Sequence, residues 1–398
     1  MNTTRRRLND DVLFNVLHHT GYHCDITVAL MSSCRFFYHE VAKALLRKTI
    51  VTISKDEQAR KFLVFLAAEN NSRYPHLRSL DFQPFELSKK VAEEWLSIIP
   101  RFEGLETLRL PHGDNILIQH DGLATAFAQL TSLRHLHIGI AYELSLRMVR
   151  DLKSKLVSLS INWAVEDMIW DILPDHTHKE YHPVPFLANH SSSLQELKSS
   201  AWYPIDVRPT SDVVYPNMRR FSAELLDYPV IVPLINAYPN LSSIYLMTSY
   251  HAGYELTPTS WDSFRRHHNS NLAGQSQAPA CVWPHLRSFT GDLIDLYLLA
   301  PTCRIPRVWV TGDVSSSDFH LEILRTTLAL ARPTQLKIRG ATAGFLGNEQ
   351  QGLIAVLRSP ACSGLQALEL DVMFWKDDRE AALDELLVRR SVTIACSR

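Results

Sequence analysis

The chain has 398 residues, with 41 basic against 42 acidic side chains and a formal net charge of −1, so no global field draws it to nucleic acid or to an anionic membrane. Hydrophobic residues at 46% suit a packed protein, and no run reaches the roughly 18 apolar residues that a membrane-crossing helix needs. Six scattered cysteines (Cys24, Cys34, Cys281, Cys303, Cys362, Cys396) form no CxxC pair, and residues 1–20 carry charge without an apolar signal core, which predicts a reduced cytoplasmic or nuclear setting.

In chain order, Arg5, Arg6 and Arg7 read as a solvated basic tail. Leu8, Val12, Leu13, Val16 and Leu17 then keep helical spacing, with Asn9 or Asp10 placed to cap the first turn. A second amphipathic stretch over 25–47 carries Ile26, Leu30, Met31, Cys34, Phe37, Val41, Leu45 and Leu46. A helix over 56–70 follows.

From residue 77 onward one pattern organises the chain. Residues 133–138 read Leu-Arg-His-Leu-His-Ile, an LxxLxL unit, and related units start at 77, 105, 156, 194, 218, 241, 286, 305, 333 and 365. The fourth and sixth positions of a unit fall on one face of a strand, and the third and fifth point the other way. Helical spacing precedes several units: Val91, Ala92, Trp95, Leu96 and Ile99; Leu146, Val149 and Leu152; Leu321, Leu324, Leu328 and Ala331. Tyr74-Pro75, Tyr215-Pro216, Tyr238-Pro239 and Trp283-Pro284 punctuate the junctions, where proline ends a helix and leaves its predecessor extended. One strand with its helix cannot bury its own apolar face, so the units are expected to stack into a solenoid with a curved parallel sheet, an α/β fold.

The units resemble leucine-rich repeats, whose period is about 20 to 29 residues. That family places Asn or Cys three residues after the last strand apolar position. Here Phe85, Gly113, Ala141, Ala164, Trp202, Ser249 and Met373 stand there, so the asparagine ladder is missing.

Two insertions break the rhythm. Residues 175–182 hold His176, His178 and His182 with Asp175 and Glu180, types that suit zinc, but among prolines 174, 183 and 185 they read as an ordinary loop. Residues 261–279, with Arg265, Arg266, His267 and His268, read as a mobile polar loop. The tail is expected to close the array with a helix over 377–390 and a strand over 391–394.

The order Leu8-Asn9-Asp10-Asp11-Val12-Leu13, Val16-Leu17, Asp25-Ile26, Leu30, Cys34-Arg35-Phe36-Phe37 closely resembles an F-box, and 45–51 looks like the run that follows that box in many fungal members. The resemblance implies two domains: an F-box-like helical domain at 1–50 and a degenerate repeat solenoid at 51–398. It also implies binding to a Skp-type adaptor, and through it a cullin, by Leu8, Val12, Leu13, Leu17, Leu30, Cys34 and Phe37, with a protein substrate held by the repeats. The chain would then be the substrate-recognition subunit of an SCF-type ubiquitin ligase. The alternative is a non-catalytic repeat scaffold whose N-terminal helices only cap the array.

Nothing points to catalysis, a cofactor or a metal. His39-Glu40-Val41-Ala42-Lys43 begins like a zinc-protease motif but ends in lysine, and no phosphate-cradling glycine loop occurs. Substrate contacts are expected on the concave face, at third and fifth positions: Arg109, His135, His137, Arg220, Tyr245, Arg307 and Trp309, with Arg, Tyr and Trp the types that dominate interfaces.

Overall fold

A computed structural model describes Val12, Asn15, Leu17, His19 and residues 24–163, 182–202, 212–225, 228–248, 258–277, 282–311, 318–342, 345, 352–373 and 392–395. The chain forms two compact units, 1–156 and 157–398.

The first unit begins with helical residues at Val12, Asn15, Leu17 and His19. Helices α1 (Cys24–Ser33) and α2 (Arg35–Lys48) follow, parted at Cys34, whose extended backbone (φ −160°, ψ 163°) caps α2. Then strands and helices alternate: β1 (Ile50–Ile53), α3 (Asp56–Asn71), β2 (Ser79–Phe82), α4 (Lys89–Ile98), β3 (Thr107–Leu110), α5 (Gly113–Leu117), α6 (Gly122–Ala128), β4 (His135–Ala141) and α7 (Glu143–Asp151). The strands β1 to β4 pair parallel in sequence order.

The second unit continues the same cycle. Its elements are β5 (Ser158–Trp163), α8 (Pro183–Phe186), β6 (Glu196–Trp202), β7 (Arg220–Leu225), α9 (Ile231–Ala237), β8 (Ser243–Thr248), α10 (Pro258–Gln277), β9 (Ser288–Gly291) and α11 (Leu293–Leu299). They are followed by β10 (Arg307–Val310), α12 (Asp318–Ala331), β11 (Gln335–Thr342), α13 (Leu353–Leu357), β12 (Ala367–Met373) and β13 (Val392–Ala395). Strands β5 to β13 again pair parallel, neighbour to neighbour, without closing into a barrel.

Each LxxLxL unit thus supplies a strand from its third position, and the register aligns like positions. Leu159, Leu197, Phe221, Ile244, Phe289, Val308 and Leu336 form one buried row across the strands of the second unit, all at fourth positions. At most junctions the carbonyl of a unit's second residue fixes this register by accepting both amides that open the next strand; Arg287 O takes only Arg307 N, because Pro306 has no amide proton. Arg78 O takes Glu106 N (2.8 Å) and Thr107 N (2.9 Å), and Arg219 O takes Ser242 N (2.9 Å) and Ser243 N (3.0 Å). Sheet energy and hydrophobic burial therefore repeat with one period, which is why a stack of short strands holds together. Gly291 breaks the apolar rule at a sixth position because a Cβ there would meet Leu246 O at 2.0 Å, and its φ of +155° favours glycine as well.

The predicted helices over 56–70 and before the units at 105, 156 and 333 all form, with Leu63, Leu66, Val91, Trp95, Leu146, Val149, Leu324 and Leu328 buried. The aromatic residue before each junction proline is buried, and in the second unit Tyr215 and Trp283 also bond a neighbouring repeat. Tyr215 Oη donates to Val184 O (2.6 Å), and Trp283 Nε1 donates to Tyr238 O (3.0 Å).

Two expectations need revision. Sheet pairing begins earlier than the unit at 77, because β1 fills the same role with Lys48 where the pattern expects leucine. The polar segment 261–279 is no mobile loop over its described part: α10 runs through it. Trp261, Phe264, His268, Asn271 and Gln275 share the buried face at helical spacing. Its polar members bond three carbonyls at the end of α11. His268 Nδ1 meets Tyr297 O (2.6 Å), Asn271 Nδ2 donates to Leu298 O (2.8 Å), and Gln275 Nε2 donates to Ala300 O (2.7 Å).

The missing asparagine ladder has a partial substitute in the first unit. Asp56 Oδ1 accepts from Ser88 N (2.8 Å) at the start of α4, and Asp114 accepts from Tyr142 N (2.7 Å) and Leu144 N (2.9 Å) at the start of α7. A carboxylate of one repeat thereby caps the helix of the next, where negative charge is favoured. Asp114→Ala should cost about 1 kcal/mol, read as a lower urea midpoint with unchanged slope, and an unmoved midpoint would rule out this capping role.

Candidate interaction surfaces

Helices α1 and α2 and the helical residues before them enclose a small core of their own. Leu17 (0% exposed), Phe37 (4%) and Val41 form it, with Leu30, Met31 and Leu45 packed against it. This corrects part of the expected adaptor face: Leu17 and Phe37 are spent holding the helices together, since a segment of this size has few other apolar groups for that task. Leu30 is half-buried, Cys34 is exposed as the cap of α2, and Val12 is exposed. Leu8 and Leu13 lie outside the described residues.

A different apolar set faces outward from the same helices: Val12, Ile26, Val28 (55% exposed) and Phe36 (47%), while the partly exposed Tyr38 packs its ring against Arg73. Consecutive residues on a helix point about 100° apart, so Phe36 and Phe37 could not both enter the core. The F-box resemblance put Phe37, the inward member of that pair, on the adaptor face. Fully burying side chains of this kind is worth roughly 1.5 to 3 kcal/mol each, so covering the half that remains exposed would supply several kcal/mol to a complex.

The helical segment is tied to the repeats behind it by a buried cation. Arg73, wholly buried, pairs with Glu69, donates from Nη1 to Phe65 O (3.2 Å), and lies over the rings of Tyr38 (4.6 Å) and Phe65 (4.3 Å). His39 of α2 reaches the same Glu69 carboxylate. Burial alone would raise the Glu69 acid, but the hydrogen bonds and charge of His39 and Arg73 outweigh it and leave that carboxyl below its ordinary range. Glu69, Asn70 and Asn71 sit at φ of 58°, 56° and 67°, a left-handed kink at the end of α3 that Asn tolerates and Glu does not. The Arg73 contacts hold Glu69 there.

The expected strand-face residues all occupy outward positions, because their strand neighbours Leu108, Leu136, Phe221, Ile244 and Val308 are buried. In the first unit Thr107 faces His135 across the β3–β4 pair and Arg109 faces His137; Arg109 and His135 are exposed and His137 is half-buried. Asp81 lies on the other side of Arg109.

In the second unit Arg220 pairs with Glu196 on the adjacent strand (2.6 Å), and the carboxylate holds its guanidinium more firmly protonated. Tyr245 is half-buried, and its hydroxyl approaches Met247 Sδ (3.7 Å); burial first, then the Glu224 and Asp295 carboxylates, push its phenol above the ordinary value. Arg307 and Trp309 (48% exposed) stand two residues apart on β10, and the Lys337 ammonium lies 5.9 Å from the Trp309 ring while pairing with Glu369. The face therefore offers hydrogen-bonding groups, cations and aromatic rings on paired strands.

Of the histidine-rich segment only His182 is described. It is buried, and its Nδ1 accepts from Val184 N (3.3 Å) at the start of α8, which places the ring proton on Nε2. Desolvation lowers its pKa to about 4. Among the described residues no group of three or more His, Cys, Asp or Glu side chains is arranged to hold a metal ion, and no helix is long and apolar enough to cross a membrane.

No protein-family model matches the sequence, and no curated protein is significantly similar to it. A crystal structure of a Bacteroides fragilis protein aligns with 87% of this chain and 74% of its own at 8% identity and a TM-score of 0.29, a likeness too slight to assign a fold.

Proposed function

We propose that the chain is the substrate-binding subunit of an SCF-type ubiquitin ligase and has no catalytic role of its own. In this reading residues 1–50 are an F-box-like domain that docks on a Skp-type adaptor, and 51–398 are a degenerate leucine-rich-repeat solenoid that holds a protein substrate. The observation that carries it is the exposed apolar side chains Val12, Ile26, Val28 and Phe36, which the small core of these helices leaves uncovered. Helices presenting such a face bind by laying it into a groove.

The second reading, a repeat scaffold with a helical cap, draws on the enclosed Leu17–Phe37–Val41 core and the Arg73 tie, both of which a cap would also need. The two separate in one experiment. Val28→Asp with Phe36→Asp, at exposed sites, should leave the circular dichroism spectrum intact and reduce capture of a purified Skp-type adaptor by tenfold or more. Undiminished capture, or none by the unaltered chain, would favour the scaffold.

A further inference from the structure

In the second unit the outward side chains of β8, β9 and β10 stand in register, with large ones on either side of small ones, which outlines a trough. Tyr245 on β8 and Trp309 on β10 both register against Thr290 on β9, so two aromatic walls flank a small floor. The floor continues with Ser288, whose hydroxyl donates to Ser243 Oγ (2.9 Å). Alternate strands lie about 10 Å apart, wide enough for one extended chain between the rings. The Lys337 ammonium lies against the Trp309 ring from the neighbouring strand, β11, and its charge is matched by Glu369.

Arg307 supplies a cation on the β10 side, across from the Glu224 carboxylate that lies near Tyr245. It is exposed, its cross-strand neighbours are the neutral Ser288 and Gln335, and it makes no ion pair among the described residues. By contrast Arg220 has Glu196 and Lys337 has Glu369. Arg307 and Trp309 are alternate residues of one strand, about 7 Å apart, and that is also the repeat between like-facing side chains of an extended peptide.

We propose that this trough takes an extended acidic segment of the substrate in which a carboxylate and a large apolar side chain stand two residues apart. The carboxylate meets the Arg307 guanidinium, and the apolar group fills the space between Trp309 and Tyr245 over Thr290. The inference rests on the strand face being the substrate surface and narrows it to one chemistry.

The test titrates three fluorescein-labelled Gly/Ser decapeptides, containing Glu-Ser-Trp, Lys-Ser-Trp or Glu-Ser-Ser-Trp, against the full chain by fluorescence polarisation. The first should bind about tenfold more tightly than the others, because the second reverses the charge and the third turns its tryptophan to the opposite face. Trp309→Ala should remove that advantage, and Arg307→Glu should shift the preference to Lys-Ser-Trp. Equal binding of the three peptides, no binding, or an order unaffected by Arg307→Glu would overturn the inference. If the peptides fail while Trp309→Ala still abolishes capture of protein partners from an extract, the substrate face survives and only its proposed chemistry falls. If capture is also unaffected, both fall.

Discussion

Arg73→Ala is expected to destabilise the first unit by about 3 kcal/mol or more. The substitution leaves the Glu69 carboxylate with His39 alone, strips Phe65 O of its donor, and opens a void between the Tyr38 and Phe65 rings. It also removes the contact that holds Glu69 in the left-handed kink. Because Tyr38 and His39 belong to α2, the loss should reach the N-terminal helices, so amide exchange over Arg35–Lys48 should accelerate more than over β3. Denaturant unfolding gives the size and exchange gives the location. A midpoint within error of the unaltered chain would mean that the buried pair contributes no more than its desolvation costs.

Acidification is expected to remove a further contribution of about 3 kcal/mol between pH 6.5 and about 4, located in the second unit. His182 is buried and neutral in the native protein, with a pKa lowered by desolvation to about 4, whereas the unfolded chain titrates it near 6.5. Between those values the unfolded state holds a proton that the native state lacks. Stability is therefore fully present above pH 6.5, falls as pH drops through the interval, and is gone below about 4. Protonation would also cancel the acceptor that Nδ1 offers to Val184 N at the start of α8. His182→Asn keeps a capping oxygen but has no titrating group, so the slope of stability against pH should flatten across this interval. Glu69, with its carboxyl lowered, loses its contribution only at more acid pH, so the two effects separate. An unchanged slope in His182→Asn would show that another group carries the acid sensitivity.

Much of the architecture was legible because the LxxLxL alternation states strand, face and register together. Leu136 and Ile138 point inward and His135 and His137 outward by position alone, and the sheet keeps that order. What escaped was encoded in polar groups. Helix α10 buries His268, Asn271 and Gln275, so a hydropathy pattern reads it as a loop, although the spacing of those residues from Trp261 and Phe264 is helical. The caps from Asp56 and Asp114 join positions 32 and 28 residues apart, a distance at which no local motif signals them. Strand β1 was hidden by one lysine, Lys48, in a leucine position. At the candidate site the identity of the outward aromatic failed for a similar reason: the sequence places Phe36 and Phe37 side by side, and only packing against Leu17 and Val41 decides which turns in.

The central claim is that the N-terminal helices keep an apolar face for another protein. Light scattering on the purified chain mixed with a purified Skp-type adaptor, resolved by size exclusion, tests it most directly. The account predicts a single species with the mass of one chain plus one adaptor. Two separate peaks at the masses of the free proteins, with both folded and at micromolar concentration, would contradict it.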